Sequence, residues 1–149
     1  MLIIGMSLTA CNDFLDVKPN NEQIPTDFWK SKEDVEAVIT SGYYNMQQAV
    51  PTLIKWGELR GGGMYATSLK DSRLQDFNLT PDLSICKWDD IYKVINMANS
   101  VIKYAPGVQG KDNTYYDHIM NSHLCEAYFQ RAYSYLILLK NYREVPLAT

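Results

Sequence analysis

Histidine is nearly absent from this chain. The two present, His118 and His123, are five positions apart and so lie on different faces of any helix. Cys125 follows His123 by two, and none of these residues has the spacing of a metal site. We therefore expect no metal and no cofactor. An excess of positive charge is missing too: 14 Lys and Arg stand against 17 Asp and Glu, a net charge of −3. That removes the electrostatic case for nucleic acid. Cysteine is scarce, at three residues. Two beyond the first make a thin disulfide framework, so Cys86 and Cys125 are expected to be buried free thiols. No segment beyond the N-terminus is apolar and uncharged over the roughly 18 residues that a bilayer span requires. There is no Gly-x-Ser-x-Gly and no readable Ser, His and Asp motif, so nothing marks a nucleophilic enzyme. Carboxylates at Glu33, Asp34, Glu36, Asp71, Asp76, Asp89 and Asp90 read as helix N-terminal or solvated charges.

What is present starts with an uncharged, mostly apolar run, residues 1–10, that ends on Cys11. The run is too short to span a bilayer and matches the apolar part of a secretory signal. Leu8-Thr9-Ala10-Cys11 resembles the lipobox of bacterial lipoproteins, where the cysteine thiol takes up a diacylglycerol. Residues 1–10 are thus read as a signal peptide and Cys11 as the lipidation site. No Lys or Arg precedes Cys11, so the signal reads as truncated at its own N-terminus. Residues 11–25 then form the lipidated cysteine and an extended polar tether with two prolines.

From residue 26 the pattern is helical. Ser31 with Asp34 approximates a capping box, and Val35, Val38, Ile39, Gly42, Tyr43, Met46, Ala49 and Val50 recur at helical spacing up to Pro51. Residues 51–86 read as irregular, with Trp56 to Gly63 as a mobile surface loop that lacks the Lys of a phosphate loop. A second helix is expected from Trp88 to Tyr104, with Trp88, Ile91, Tyr92, Ile95, Ala98, Asn99 and Ile102 as its stripe and Ala105-Pro106-Gly107 as its stop. Asn99 inside that stripe must find hydrogen-bond partners. A third helix is expected from Asp117 to Tyr142. Its inward face is read as Met120, Leu124, Ala127, Tyr128, Arg131, Tyr135, Leu138 and Leu139, adjoined by Phe129, Ala132 and Leu136. Arg131 on that face calls for a carboxylate, with Glu126, Glu58, Asp89 and Asp90 as candidates.

Three pieces in order resemble the N-terminal part of the RagB/SusD family of outer-membrane nutrient-uptake lipoproteins. They are Cys11-Asn-Asp-Phe-Leu-Asp-Val-Lys-Pro19, Trp88-x-x-Ile-Tyr-x-x-Ile-x-x-Ala-Asn99, and Glu126-Ala-x-Phe-x-Arg-Ala-Tyr-x-Tyr135 followed by Val145-Pro-Leu147. Tyr128 departs from the family's Arg, and Arg143-Glu144 from its Gly-Asp, which argues against a tight turn there. The resemblance implies an all-α fold of tetratricopeptide-like helical hairpins with long loops. Residues 26–149 would be its N-terminal helical region, incomplete at the C-terminus. It also implies a lipid-anchored protein on the cell outer membrane, surface-exposed, that binds glycan without catalysis. Its partner would be a SusC-like TonB-dependent outer-membrane transporter. Within loop 56–88 the glycan-binding candidates are Trp56, Arg60, Tyr65, Asp71 and Arg73. Trp88, Tyr92, Asn99 and Arg131 are structural candidates. The alternative is a lipid-anchored helical-repeat interaction module without glycan binding. The last helix carries aromatic and aliphatic residues around much of its circumference, which marks an interface or an association risk.

Overall fold

The structure, a computed structural model, describes residues 26–148. The signal, Cys11 and the tether therefore lie outside the described residues. Helix α1 spans Lys32–Ile54, α2 spans Leu69–Gln75, α3 spans Asp89–Val108 and α4 spans Asp117–Tyr142. Among the described residues there is no strand, so the class is all-α. Helix α3 lies in the middle and packs on both α1 and α4, which touch each other less. It runs antiparallel to both neighbours: the start of α1 and the start of α4 share one core with the end of α3.

A local signal explains where α1 begins. Asp34 closes the first turn of α1: its carboxylate accepts the backbone N–H of Ser31 at 2.8 Å and of Lys30 at 3.0 Å. Those two donors would otherwise be orphaned at the helix entrance. Helix α4 has the bounds that its sequence pattern predicts. Its inward face is only partly the expected one: Ala127 and Leu138 are buried and Met120, Leu124 and Tyr135 pack against the cores, but polar residues take the rest. His123, Ala127, Gln130, Ser134 and Leu138 are buried, whereas Tyr128, Phe129, Ala132, Leu136 and Leu139 are exposed. The reason is a close crossing. Gly42 of α1 lets the Gln130 side chain lie against its backbone, with a Cβ there 2.9 Å from Gln130 Cδ. Gln130 Nε2 then donates to the Ile39 carbonyl at 3.0 Å. Small and amide side chains fit this seam better than large rings do.

Two expected stops do not stop. Pro51 sits inside α1, which continues through a π-helical stretch over Lys55–Leu59. Pro106 sits inside α3. A proline within a helix costs about 3 kcal/mol. Burial of Trp56 and Leu59 beyond the first, and of Val108 beyond the second, offsets that at roughly 1.5–3 kcal/mol for a large apolar side chain. Helix α3 is buried on two sides, as its wide apolar arc with Val94 and Val101 predicts, and of the expected stripe Ile91, Ile95 and Ala98 are in the core while Tyr92, Asn99 and Ile102 are half-buried. Ile91, Val94, Ile95, Ala98, Val101, Ala105 and Val108 are buried, and Trp88 sits at the edge.

Two core clusters result among the described residues. One joins Trp29, Val35, Val38, Ala98, Val101, Val108, Tyr115 and Ala127. The other joins Ala49, Trp56, Leu59, Leu74, Ile91, Ile95 and Leu138 at the opposite end. Segment 60–88 lies on the second cluster.

Candidate functional site

Segment 60–88 is more ordered than its sequence suggests. Helix α2 lies within it, capped by Ser68, whose Oγ accepts the Asp71 N–H at 3.2 Å. Leu74 of α2 is buried in the second core, which pins the helix there. Trp56 is 7 % exposed, so it belongs to the core floor and not to a mobile loop. Its indole N–H donates to the Ile85 carbonyl at 3.0 Å. Tyr142 donates from its hydroxyl to the Cys86 carbonyl at 3.0 Å. Two ring donors from the helices thus satisfy carbonyls of the segment and fix it in place.

This anchoring leaves a polar hollow of about 620 Å³ between the end of α1, the start of α2 and the turn before Cys86. Lys55, Asp71, Ser68, Lys70, Asp82 and Ser84 supply its polar groups. Lys55 Nζ and Asp71 Oδ1 pair at 2.9 Å. That hydrogen bond from Lys55 holds the Asp71 carboxyl below its usual range, against a smaller opposing effect of burial. Asp82 is held low as well, first by the Thr80 side chain and then by its own backbone N–H, with Arg73 a weaker electrostatic influence. At neutral pH both carboxylates are therefore acceptors. The hollow can hold a polyhydroxylated ligand through several donors and acceptors. Among the described residues no three His, Cys, Asp or Glu side chains converge as a metal cage.

The candidates named from sequence are separated by the fold. Asp71 lines the polar hollow and Arg73 lies on the same helix, exposed. Arg60 faces elsewhere: its Nη2 donates to Asn141 Oδ1 at 2.6 Å and its Nε to the Trp56 carbonyl at 3.0 Å. Tyr65 is 87 % exposed, before α2. Lys55, Asp82 and Ser84 were not legible as site residues, because nothing local links a helix end to a turn thirty positions later. Phe77 follows α2 and lines neither of the hollows flanking segment 60–88. It is 73 % exposed and has φ +55°, a left-handed conformation that a bulky residue rarely takes.

Two of the remaining candidates, Tyr92 and Asn99, tie down residues 146–148. Tyr92 donates from its hydroxyl to the Pro146 carbonyl at 2.6 Å, and Asn99 Nδ2 to the Ala148 carbonyl at 2.9 Å. Trp88 makes T-shaped ring contacts with Tyr92 and Tyr142. Arg131 does not meet an acid. It is half-buried, its Nη1 donates to Asn99 Oδ1 at 3.1 Å, and its guanidinium lies 5.2 Å from the Tyr128 ring centroid. No carboxylate pairs with it among the described residues, because at this partly wet position an amide and a ring face suffice. The turn at Arg143-Glu144 forms despite the missing glycine. Arg143 takes φ +65°, and the Glu144 N–H reaches the Tyr142 carbonyl at 2.8 Å. Cys86 and Cys125 are both free thiols, but only Cys86 is partly buried and Cys125 is exposed on α4.

Comparison with known proteins adds to this geometry. Residues 13–149 match the SusD-like family described as "Starch-binding associating with outer membrane". The chain is 32% identical to SusD-like protein P38 of Formosa agariphila over 100% of its own length and 29% of the relative's. It is 25% identical to SusD-like protein P2 of the same organism, over 97% of this chain and again 29% of the relative. The chain therefore spans less than a third of the curated relatives it matches. No solved structure matches it.

Proposed function

We propose a function from one premise: this chain belongs to the SusD-like family. Glycan binding in association with the outer membrane is the general role that this membership supports. In our reading the whole protein captures oligo- or polysaccharide at the cell surface, without cleaving it, and hands it to a TonB-dependent outer-membrane transporter. A lipid on Cys11 holds it to the membrane. Among the described residues no helix is long and apolar enough to cross one.

The observation that carries the reading within this chain is the polar hollow around Lys55, Asp71 and Asp82. It is pre-formed and built on a rigid helix end. Its donors and acceptors suit sugar hydroxyls, which demand many directed hydrogen bonds and little net charge. Arg73, on the same helix as Asp71, acts electrostatically on Asp82, and Arg60 lines another hollow of about 270 Å³.

Calorimetric titration against a glycan panel tests this. We expect a binder whose affinity falls about tenfold, or about 1.4 kcal/mol, in Asp71→Ala. No new reducing ends should appear during incubation. Tight binding that Asp71→Ala leaves unchanged would remove the hollow from the site. A second reading, a protein-interaction module, draws on the exposed Tyr128, Phe129, Leu136 and Leu139 of α4. It gains if no glycan binds and a partner protein is held through that face.

A further inference from the structure

We propose that a second hollow, on the other flank of segment 60–88, is a sugar-stacking subsite with Trp88 as its platform and an uncharged sugar ring as its ligand. The inference rests on the glycan reading above and extends it to a residue that the sequence marks only as structural.

Trp88 stands directly before α3 and is 36 % exposed. Its ring is fixed by T-shaped contacts with Tyr92 at 5.7 Å and Tyr142 at 5.1 Å between centroids. Both neighbours are held in turn by the hydroxyl bonds to Pro146 and Cys86 described above. The ring is thus oriented before any ligand arrives, which lowers the entropy cost of binding. It opens on a hollow of about 730 Å³. Among the described residues no hydrogen bond takes the Trp88 indole N–H, so a donor is also free at the platform's edge.

The rest of the lining selects the ligand. Leu79 and Pro81 extend the apolar wall, while Thr80 and Asn141 offer polar groups at its rim. Asn141 spends one amide N–H on the Ile137 carbonyl at 2.8 Å and keeps the other. Lys87 and Asp89 contribute one charge of each sign, so the hollow favours neither a sulfated nor a uronate sugar. A pyranose has an apolar C–H face and a hydroxyl-bearing edge, and an aromatic wall with polar rim matches both. The first hollow has no aromatic wall and offers hydrogen bonds alone. A glycan chain crossing the segment would stack at Trp88 and be read by hydroxyl contacts at Asp71.

The test uses this chain with maltoheptaose, xylohexaose and mannohexaose as neutral probes and an oligogalacturonate as the charged one. Hydroxyl-radical footprinting of the unaltered chain reports Trp88 directly, with buried Trp29 and Trp56 as internal controls. We expect the best neutral binder to protect Trp88 from oxidation. Trp88→Ala should weaken that binder about tenfold, and Trp88→Phe should stay within about threefold. Binding that leaves Trp88 equally oxidised, or unaffected in Trp88→Ala, overturns the subsite and leaves the glycan reading in place. Protection by the oligogalacturonate alone overturns the uncharged ligand. Failure of every probe to bind overturns the subsite in this chain.

Discussion

The two ends of the bundle are made from the same three long helices and are closed in different ways. At the first end the helices close on themselves. The short α3–α4 connection folds back onto the start of α1, with Asp112 accepting the Lys32 N–H at 2.9 Å and Lys111 Nζ donating to the Trp29 carbonyl at 2.9 Å. Buried Tyr115 meets His123 Nδ1 at 3.1 Å, and Trp29 stacks on Tyr104 at 5.3 Å. At the second end the helices are covered by chain with little regular structure. Segment 60–88 and residues 143–148 lie there, held by ring and amide donors aimed at their carbonyls: Trp56, Tyr142, Tyr92 and Asn99. Point attachments leave gaps between them, and the two hollows flanking segment 60–88 fall at this end. A closed helical end supplies rigidity, and an end roofed by loops supplies surface concavity.

That contrast can be broken most severely at its two tryptophans. Trp29→Ala and Trp56→Ala should each cost about 3–5 kcal/mol in denaturant unfolding, since each empties a core. Hydrogen exchange should separate them. Trp56→Ala is expected to release segment 60–88 selectively, and Trp29→Ala to loosen the first end while that segment stays as it was. Identical exchange patterns would mean that the two ends are a single cooperative unit.

Alkaline pH probes both ends through one phenol each, buried Tyr115 and half-buried Tyr142. Burial, more than any charge, pushes Tyr115 at the first end and Tyr142 at the second up to about 12. Unfolded tyrosine ionises near pH 10. The folded state therefore keeps protons that the unfolded state releases, and stability falls as pH climbs from about 10 towards 12. Tyr115→Phe and Tyr142→Phe should each flatten that fall in thermal melts taken across this range. A wild-type slope in both variants would count against burial as its cause.

The smallest effect concerns strain. Among the described residues the non-glycine positions with positive φ are Phe77 and Arg143, and both belong to the second end. Such a conformation costs of order 1–3 kcal/mol, part of which glycine's greater unfolded-state freedom takes back. Phe77→Gly and Arg143→Gly should each stabilise the chain by up to about 1 kcal/mol, read from the denaturant midpoint. Destabilisation by Arg143→Gly would mean that its side chain contributes more than the backbone strain costs.

What the sequence determined by itself was local or strongly patterned. The all-α class, the Ser31-Asp34 helix entrance, the bounds of α4 and the ordered family motifs all rest on residues within a few turns of one another. An amide in the α3 stripe also announced its need for partners, and Asn99 has them in Ala148 and Arg131. The tertiary structure alone decided the rest. Helix α4 is apolar around most of its circumference, so its own pattern cannot choose the inward side; Gly42 on α1 chose it by admitting Gln130. Pro51 and Pro106 read as stops because their penalty is local, whereas the burial that outweighs it comes from residues far along the chain. Helix α2 is seven residues long and gains its stability from Leu74 in a distant core, not from its own propensity. The hollows belong to the same class, since Lys55 and Ser84, or Leu79 and Asn141, lie about thirty and sixty positions apart and become neighbours only when packing brings segment 60–88 down on the helix ends.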